Sequence, residues 1–418
     1  MSMNKLTYFA AAGLLALGSC CCPKNAEIGD TLPEWKPGYF DVHQISTGRG
    51  NVALMVLPDA TTMMVDMGDL GDVSNKKQEI MPIMPNASKT PAQWAAKYIS
   101  RVLDEVGRDR VDMALVTHFD TDHVGAYYMK DGVLTKSGFA EIEDLIHIEK
   151  LVDRGHTYPD AEALRVRAGN LVAHHLEYLK YRESKGLKYE KFVVGSSEQF
   201  KLLRSPKKYP DFKIQNIYAN GQLWSGKGLE TIDLVPGEGE QKRENEKYMN
   251  ENRNSCTINI SYGDFDYHNG GDIQGMKPDS PNQWLNTEKH VAEFIKEVDV
   301  AVANHHSYSD AMFSPFLEIT NPQVCIIPVW DFYHPQPSTL SNMLRAGIEE
   351  KERDIFSAGL VHSNRLRLAE DGAKIHPSGH VVLRVYKGGK EFQVFVLDDT
   401  TTDTPTIIYK SELYKSRN

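Results

Sequence analysis

An α/β fold built as one large domain is what this sequence predicts. Strand-like runs and an amphipathic helix alternate from Tyr39 onward, the order expected when helices pack against sheets. Several apolar runs stop abruptly at turns rich in His and Asp, as buried strands do where a site is built at their carboxyl ends. With 418 residues, 41% apolar and 25% charged, there is material for a sizeable core and no tract biased enough for disorder. A net charge of −10 argues against a broad nucleic-acid-binding surface.

Residues 1–20 stand apart from the fold. Lys5 precedes a short apolar stretch, Leu6–Leu17, too brief to span a bilayer comfortably as a permanent helix. The stretch ends at Leu17-Gly18-Ser19-Cys20, which resembles a bacterial lipobox. Cleavage there leaves Cys20 as the lipid-modified residue; an ordinary secretory signal is the alternative. Either reading exports the protein, so the expected location is the cell envelope, lipid-anchored, with residues 21–38 as a tether. The N-terminal lipid is the only membrane contact expected. Cys256 and Cys325 lie inside the domain, each in an apolar run, and are expected as two separate buried thiols.

The domain is expected over 39–400, with a tail over 401–418. Phe40, Val42 and Ile45 alternate into Gly48-Arg49-Gly50-Asn51; Val52–Leu57, a Pro58-Asp59-Ala60 turn and Met63–Asp66 follow. This reads as strand, glycine turn, strand, hairpin turn, strand. Residues 69–89 form a polar loop. Thr90 and Pro91 then open a helix as N-cap and first residue, Trp94 to Val106 repeat at helical spacing, and Gly107 ends it. A strand over Val111–Val116 stops at Thr117. The next six positions hold His118, Asp120, Asp122 and His123, and Gly125 then frees the backbone to turn. Two imidazoles and two carboxylates that a turning backbone can aim inward suit a divalent metal. The mixture is neither a thiolate site nor an all-oxygen calcium loop, which leaves Zn, Mn or Fe.

This stretch resembles the His-x-His-x-Asp-His signature of the metallo-β-lactamase superfamily, with Asp120 where the second His usually stands. That variant is similar to the metallohydrolase domain of the ComEC family of DNA-uptake proteins. The resemblance implies a four-layer αββα sandwich and extends to further motifs. Val65-Asp66-Met67-Gly68 matches an element whose aspartate braces the metal loop from behind, implying that role for Asp66. Asn252-Arg253-Asn254-Ser255 and Gly271-Asp272 match elements that imply Asp272 as a carboxylate bridging two ions; Asp264 and Asp266 match less well. Asn304-His305-His306-Ser307 resembles a His-His-Gly element in which one imidazole completes the second metal site. His305 is favoured for that role, and Ser307 departs from the glycine. Asp331-Phe332-Tyr333-His334-Pro335 offers His334 as a candidate for protonating a leaving group. The implied cofactors are two divalent ions, Zn or Mn. His118 and Asp120 would hold one; Asp122, His123 and His305 or His306 the other; Asp272 and a water would be shared. Asp122 thus counts as both ligand and catalytic residue. The first ion lacks a matched third histidine, for which His147 and His156 are candidates.

Residues 127–250 carry the least pattern and are expected as a helical insertion. They contain a strand near Asp144–Val152, a long helix over 159–185, short strands at Phe192–Val194, Ile214–Tyr218 and Leu229–Val235, and a charged solvated loop over 238–254. His175 falls on the apolar stripe of the long helix and is expected as a core histidine, with His174 facing solvent. Strands are expected again at Ser255–Tyr262, Val298–Ala303 and Val324–Trp330, and a closing hairpin over 380–397.

A water shared by two dications loses its proton near neutral pH, so such a pair implies hydrolysis. The resemblance implies phosphodiesters as substrates, small or oligomeric, and the charge implies no stable nucleic-acid complex. Amide, lactone or β-lactam hydrolysis is the alternative within enzymes. A metal-binding lipoprotein without turnover is the alternative outside them. Oligomeric state is left open.

Overall fold

The computed structural model describes residues 26–71, 73–74, 76–155, 171–348 and 352–417. The N-terminal segment with Cys20, His156 and the first part of the helix expected over 159–185 lie outside the described residues.

The first sheet starts as the alternation predicts, with β1 (Phe40–Gln44), β2 (Val52–Val56) and β3 (Thr62–Met67) in antiparallel succession. Helix α1 (Pro91–Glu105) then crosses to β4 (Val111–Val116), which lies parallel to β3. Its start is a capping box: Thr90 accepts from the Gln93 amide while the Gln93 side chain accepts from the Thr90 amide, with Pro91 at the first position. After β4 come α2 (Thr121–Val124), the hairpin β5 (Tyr127–Lys130) and β6 (Val133–Lys136), and α3 (Phe139–Ile142). β7 (Ile148–Asp153), α4 (Leu171–Ser184) and β8 (Lys188–Lys191) then extend the first sheet in parallel.

The second sheet takes β9 (Phe212–Ala219), β10 (Gln222–Trp224) and β11 (Thr231–Asp233). The exposed helix α5 (Gly239–Glu246) precedes β12 (Thr257–Tyr262) and β13 (Phe265–Asn269). α6 (Thr287–Ile295), β14 (Val300–Val302), α7 (Ser314–Thr320), β15 (Val324–Pro328), α8 (Pro337–Arg345) and β16 (Asp354–Ala358) follow as βα alternation. β17 (His380–Val385), β18 (Glu391–Leu397), β19 (Ile407–Lys410) and β20 (Tyr414–Lys415) return to the first sheet. The strand order is β19-β18-β17-β1-β2-β3-β4-β7-β8, with β20 beside β18, and β11-β10-β9-β12-β13-β14-β15-β16.

The sheets meet face to face because successive strand residues point to opposite sides. Phe40, Val42, Met55, Val65 and Leu115 of one sheet share a core with Ile258, Tyr267, Val300 and Ile326 of the other. The opposite face of the first sheet (Leu54, Met64, Ala114, Val116) is covered by α1 and α4. That of the second (Cys325, Ile327, Ile355) is covered by α7 and α8. The result is the four-layer αββα sandwich that the motifs imply.

Four expectations need correction. Residues 127–250 are not a helical insertion: they supply β7 and β8 to one sheet and β9–β11 to the other. Phe192–Val194 is a turn, anchored by the Gln199 side chain on the Val193 amide, and the 238–254 run contains α5. The chain ends also belong to the domain: Thr31 bridges Thr406, Ala26 is buried, and the expected tail forms β19 and β20. Cys256 and Cys325 are free and buried, as expected.

Candidate metal centre

β4 delivers Thr117 and His118, both fully buried, to a loop clamped from below. The Asn51 amide donates to Asp122 O at 2.7 Å and the Asp69 amide to Thr121 O at 2.8 Å. Gly68 lies so close that a Cβ there would stand 1.8 Å from Asp122 O, which explains the glycine after Asp66. Gly125, with φ 79°, makes the turn out of the loop.

Asp66 lies directly behind the loop. Its buried carboxylate accepts from Thr117 N at 2.8 Å, Thr117 Oγ1 at 2.9 Å, Asn51 Nδ2 at 2.9 Å and His123 Nδ1 at 2.7 Å. A carboxylate only accepts, so His123 carries its proton on Nδ1 and presents a lone pair at Nε2. His306 is fixed the same way, donating from Nδ1 to Pro328 O at 3.1 Å. Around His118 Nδ1 are Thr117 Oγ1 at 3.1 Å and Ser255 Oγ at 3.2 Å. The Thr117 and Ser255 protons are committed to Asp66 and to Asn252 O, so both hydroxyls accept from His118. Three imidazoles therefore turn bare Nε2 atoms inward.

What they face is more lone pairs. His123 Nε2 lies 3.0 Å from His306 Nε2 and 3.2 Å from Asp272 Oδ1; His306 Nε2 lies 3.2 Å from Asp122 Oδ2 and 3.5 Å from Asp272 Oδ2. One ligand atom from each of Asp122, His123, Asp272 and His306 falls within 4.8 Å of all the others. Ligand atoms bound to one zinc at about 2.0–2.2 Å sit roughly 3–3.5 Å apart, so the spacing fits a single ion. Beside this set, His118 Nε2 is buried without a hydrogen-bond partner, 3.5 Å from Asp120 Oδ2 and 3.8 Å from Asp272 Oδ2. Asp272 reaches both groups. The residues fit a bound cation on their own chemistry, since bare acceptors converging in a buried site repel one another unless positive charge lies between them.

The titration behaviour agrees. Burial works against a charged His123, yet Asp272, Asp66 and Asp122 outweigh it and hold its pKa well above the ordinary value. Burial likewise opposes ionisation of Asp122 and Asp272, and His123 and His306 overturn that, holding both carboxylates low. The pocket attracts positive charge, whether a proton or a metal supplies it.

The ligand assignment changes at one point. His305, expected to complete the second site, stands 3.9 Å from Asp272 and donates from Nδ1 to Asp310 at 2.6 Å, with Nε2 3.0 Å from Asn252 Nδ2. His306, not His305, stands in the group of side chains that could hold an ion. The cause is backbone: His305, His306 and Ser307 all occupy the left-handed region, at φ 44°, 51° and 60°, which swings the two imidazoles to different sides. Ser307 adopts the conformation expected of the glycine it replaces, held by its Oγ donating to Thr339 Oγ1 and by Thr339 donating back to Ser307 O.

His334, the expected proton donor, lies directly behind His306. It is buried, its ring stacks on His306 at 4.7 Å, and burial, followed by the charges of His306 and His305, pushes its pKa well down. His147 is half-exposed, pairs with Glu149 and hydrogen-bonds at the start of β4, the wrong end for a ligand. Asp264 and Asp266 sit at the far end of β13 from Asp272. His175 is the core histidine expected, bonded to Asp153.

Several partners were missed. Asp310 orients His305, and Glu288 holds Asn304 Nδ2 and the amides of Met312 and Phe313 behind the His305–His306 turn. Glu251 receives the Phe119 amide and a two-pronged contact from fully buried Arg154, fixing the loop between His118 and Asp120. Its place directly before Asn252 was the signal available.

No family model matches the chain, and no curated protein matches it. Among solved structures, unliganded yeast PDE1 aligns over 83% of this chain and 99% of that one, at 11% identity and a TM-score of 0.34. A Parabacteroides distasonis protein assigned as a metal-dependent hydrolase covers 76% and 93%, at 12% identity and TM-score 0.32. Zn(2+)-bound PqqB from Methylobacterium extorquens covers 61% and 59%, at 9% and 0.26. Scores this low carry no weight for fold or function.

Proposed function

We propose that this chain is a metal-dependent hydrolase of phosphodiesters, exported and lipid-anchored at Cys20 in the cell envelope. One observation carries the metal-dependent part: His123 Nε2 and His306 Nε2 face each other at 3.0 Å with both protons committed elsewhere. Asp122, His123, Asp272 and His306 would hold one ion firmly; His118, Asp120 and Asp272 would hold a second with fewer ligands. Asp120 in place of an imidazole makes that second position harder and tilts it towards Mn. When bound, such ions supply Lewis acidity and acidify water.

The chain's own residues do the rest. Asn252 and His305 stand side by side at the edge of the cluster, where a phosphoryl oxygen can take their hydrogen bonds. Arg253, the next residue, carries a positive charge within reach of Asp310, the residue that orients His305, which would favour an anionic substrate. His305 replaces His334 as proton donor to the leaving group. Burial lowers its pKa, but Asp272 and Asp310 outweigh that and raise it to about 9. An ion on Asp272 would remove part of that support and leave Asp310 to position the ring.

Metal titration with bis-p-nitrophenyl phosphate as substrate tests the proposal. Turnover that follows metal content and is lost in His118→Ala supports it. Turnover of nitrocefin or a lactone alone replaces the substrate class, and bound metal with no turnover of any of these leaves a non-enzymatic lipoprotein.

A further inference from the structure

The Asp310 side chain, which orients His305, is 37% exposed and would be free to turn if nothing else held it. Its second oxygen is taken. Gln274, buried at 3% exposure, donates from Nε2 to Asp310 Oδ2 at 2.5 Å. Gln274 Oε1 accepts from Asn250 Nδ2 at 2.9 Å, and Asn250 Oδ1 accepts from the Arg253 amide at 2.9 Å. The direction of this relay is fixed by the backbone. A peptide N–H can only donate, so Asn250 must present its oxygen to Arg253 and its amino group to Gln274. Gln274 must then turn its own oxygen to Asn250 and its amino group to Asp310. With Oδ2 so occupied, Asp310 offers Oδ1 to His305 Nδ1 at 2.6 Å, and His305 Nε2 is left facing Asn252.

The main chain ties the same segments together. The Gly275 amide donates to Asp310 O at 2.8 Å and the Glu288 amide to Gln274 O at 3.2 Å, so consecutive residues, Gln274 and Gly275, pin the side chain and the main chain of Asp310. Asn250 lies ahead of β12, Gln274 follows β13 by way of Asp272, and Asp310 follows β14. Each of these three segments also carries a residue at the rim of the cluster: Asn252, Asp272 and His305. A general acid helps only when its proton is held in line with the leaving oxygen, and an imidazole on a loop is otherwise free to rotate. We propose, resting on the phosphodiesterase reading above, that Gln274 is a positioning residue: it fixes Asp310 and, through it, the ring of His305, so that Nε2 meets the leaving group.

Nitrogen NMR of His305 in the zinc-loaded full chain reads the positioning without any turnover. Its Nδ1 proton, held by Asp310 in the native protein, should exchange with water on the order of tenfold faster in Gln274→Met. Asn250→Asp should do the same with Gln274 in place. A carboxylate cannot donate, so the Gln274 amide must reverse and turn its oxygen on Asp310. Asn250 is half-buried, which keeps the test open should Gln274→Met fail to fold. Turnover gives the second readout. Gln274→Met should lower kcat for diphenyl phosphate about a hundredfold, and less for bis-p-nitrophenyl phosphate, whose leaving group needs little protonation, with KM nearly unchanged. In a His305→Ala background the same change should cost nothing further. A His305 Nδ1 proton undisturbed in both variants, or an equal loss of kcat with and without His305, would overturn the proposal. A wild-type chain that turns over neither ester would instead refute the phosphodiesterase reading, and the nitrogen spectrum alone would then decide whether Gln274 sets the ring.

Discussion

Replacing Asp66 with Asn changes almost no volume and tests the logic of the metal centre directly. The native carboxylate accepts four hydrogen bonds, one of them from His123 Nδ1. An amide offers one oxygen and turns two N–H donors towards groups that are themselves donors. The least costly relief is for His123 to move its proton from Nδ1 to Nε2 and accept from the new amide. That removes the lone pair facing Asp122, Asp272 and His306. Losing such a partner costs about 10–100-fold in metal affinity, near 1.4–2.7 kcal/mol, and the lost charge-assisted bonds should take roughly 1.5–3 kcal/mol from stability. Zinc affinity by competition with a chelator and the imidazole tautomer by nitrogen NMR give two independent readouts. A folded Asp66→Asn protein with unchanged zinc affinity, or with the proton still on Nδ1, would refute the reasoning.

Four further outcomes follow from the geometry. His306→Ala should lose the firmly held ion by elemental analysis, whereas His305→Ala should keep its metal and lose about 10²–10⁴-fold in turnover with an altered pH profile. Gly68→Ala should push the Asp122 carbonyl aside and weaken metal binding more than it lowers the melting temperature, read by calorimetry with and without zinc. Arg154→Met strands the buried Glu251 carboxylate and should destabilise the fold by about 3–5 kcal/mol in urea melts. Burial raises the Glu288 pKa to about 7. The folded state therefore holds its proton more tightly than the unfolded chain, and stability should fall as pH climbs from about 4.5 through 7, by about 3 kcal/mol at the upper end. Glu288→Gln should flatten that slope in melts across the range, and an unchanged slope would assign the titration elsewhere.

How much of this was legible in the sequence depended on local pattern. β1 to β4 and α1 were readable because alternation, a capping box and Pro91 are short-range signals. His118–His123 stood out because ligands crowd one turn, and Asp272 through its matched motif. The choice between His305 and His306 was not readable, since adjacent residues in left-handed backbone diverge in directions that composition does not encode. Residues 127–250 misled because β8 and β11 are exposed edge strands and β10 beside β11 is only three residues long, so no apolar alternation marks them. Glu288 acts through partners 16 and 25 residues further along the chain, a spacing that no local pattern marks.

One consequence of the topology concerns mechanics. Asp122 and His123 follow a strand of the first sheet, while Asp272 and His306 follow strands of the second. A cation gripped by all four rivets the two halves of the sandwich at one rim, and sliding one half over the other would tear its coordination. Stripping the ion should therefore loosen that rim first, and a protease should cut the stripped protein at loops that the loaded protein keeps closed.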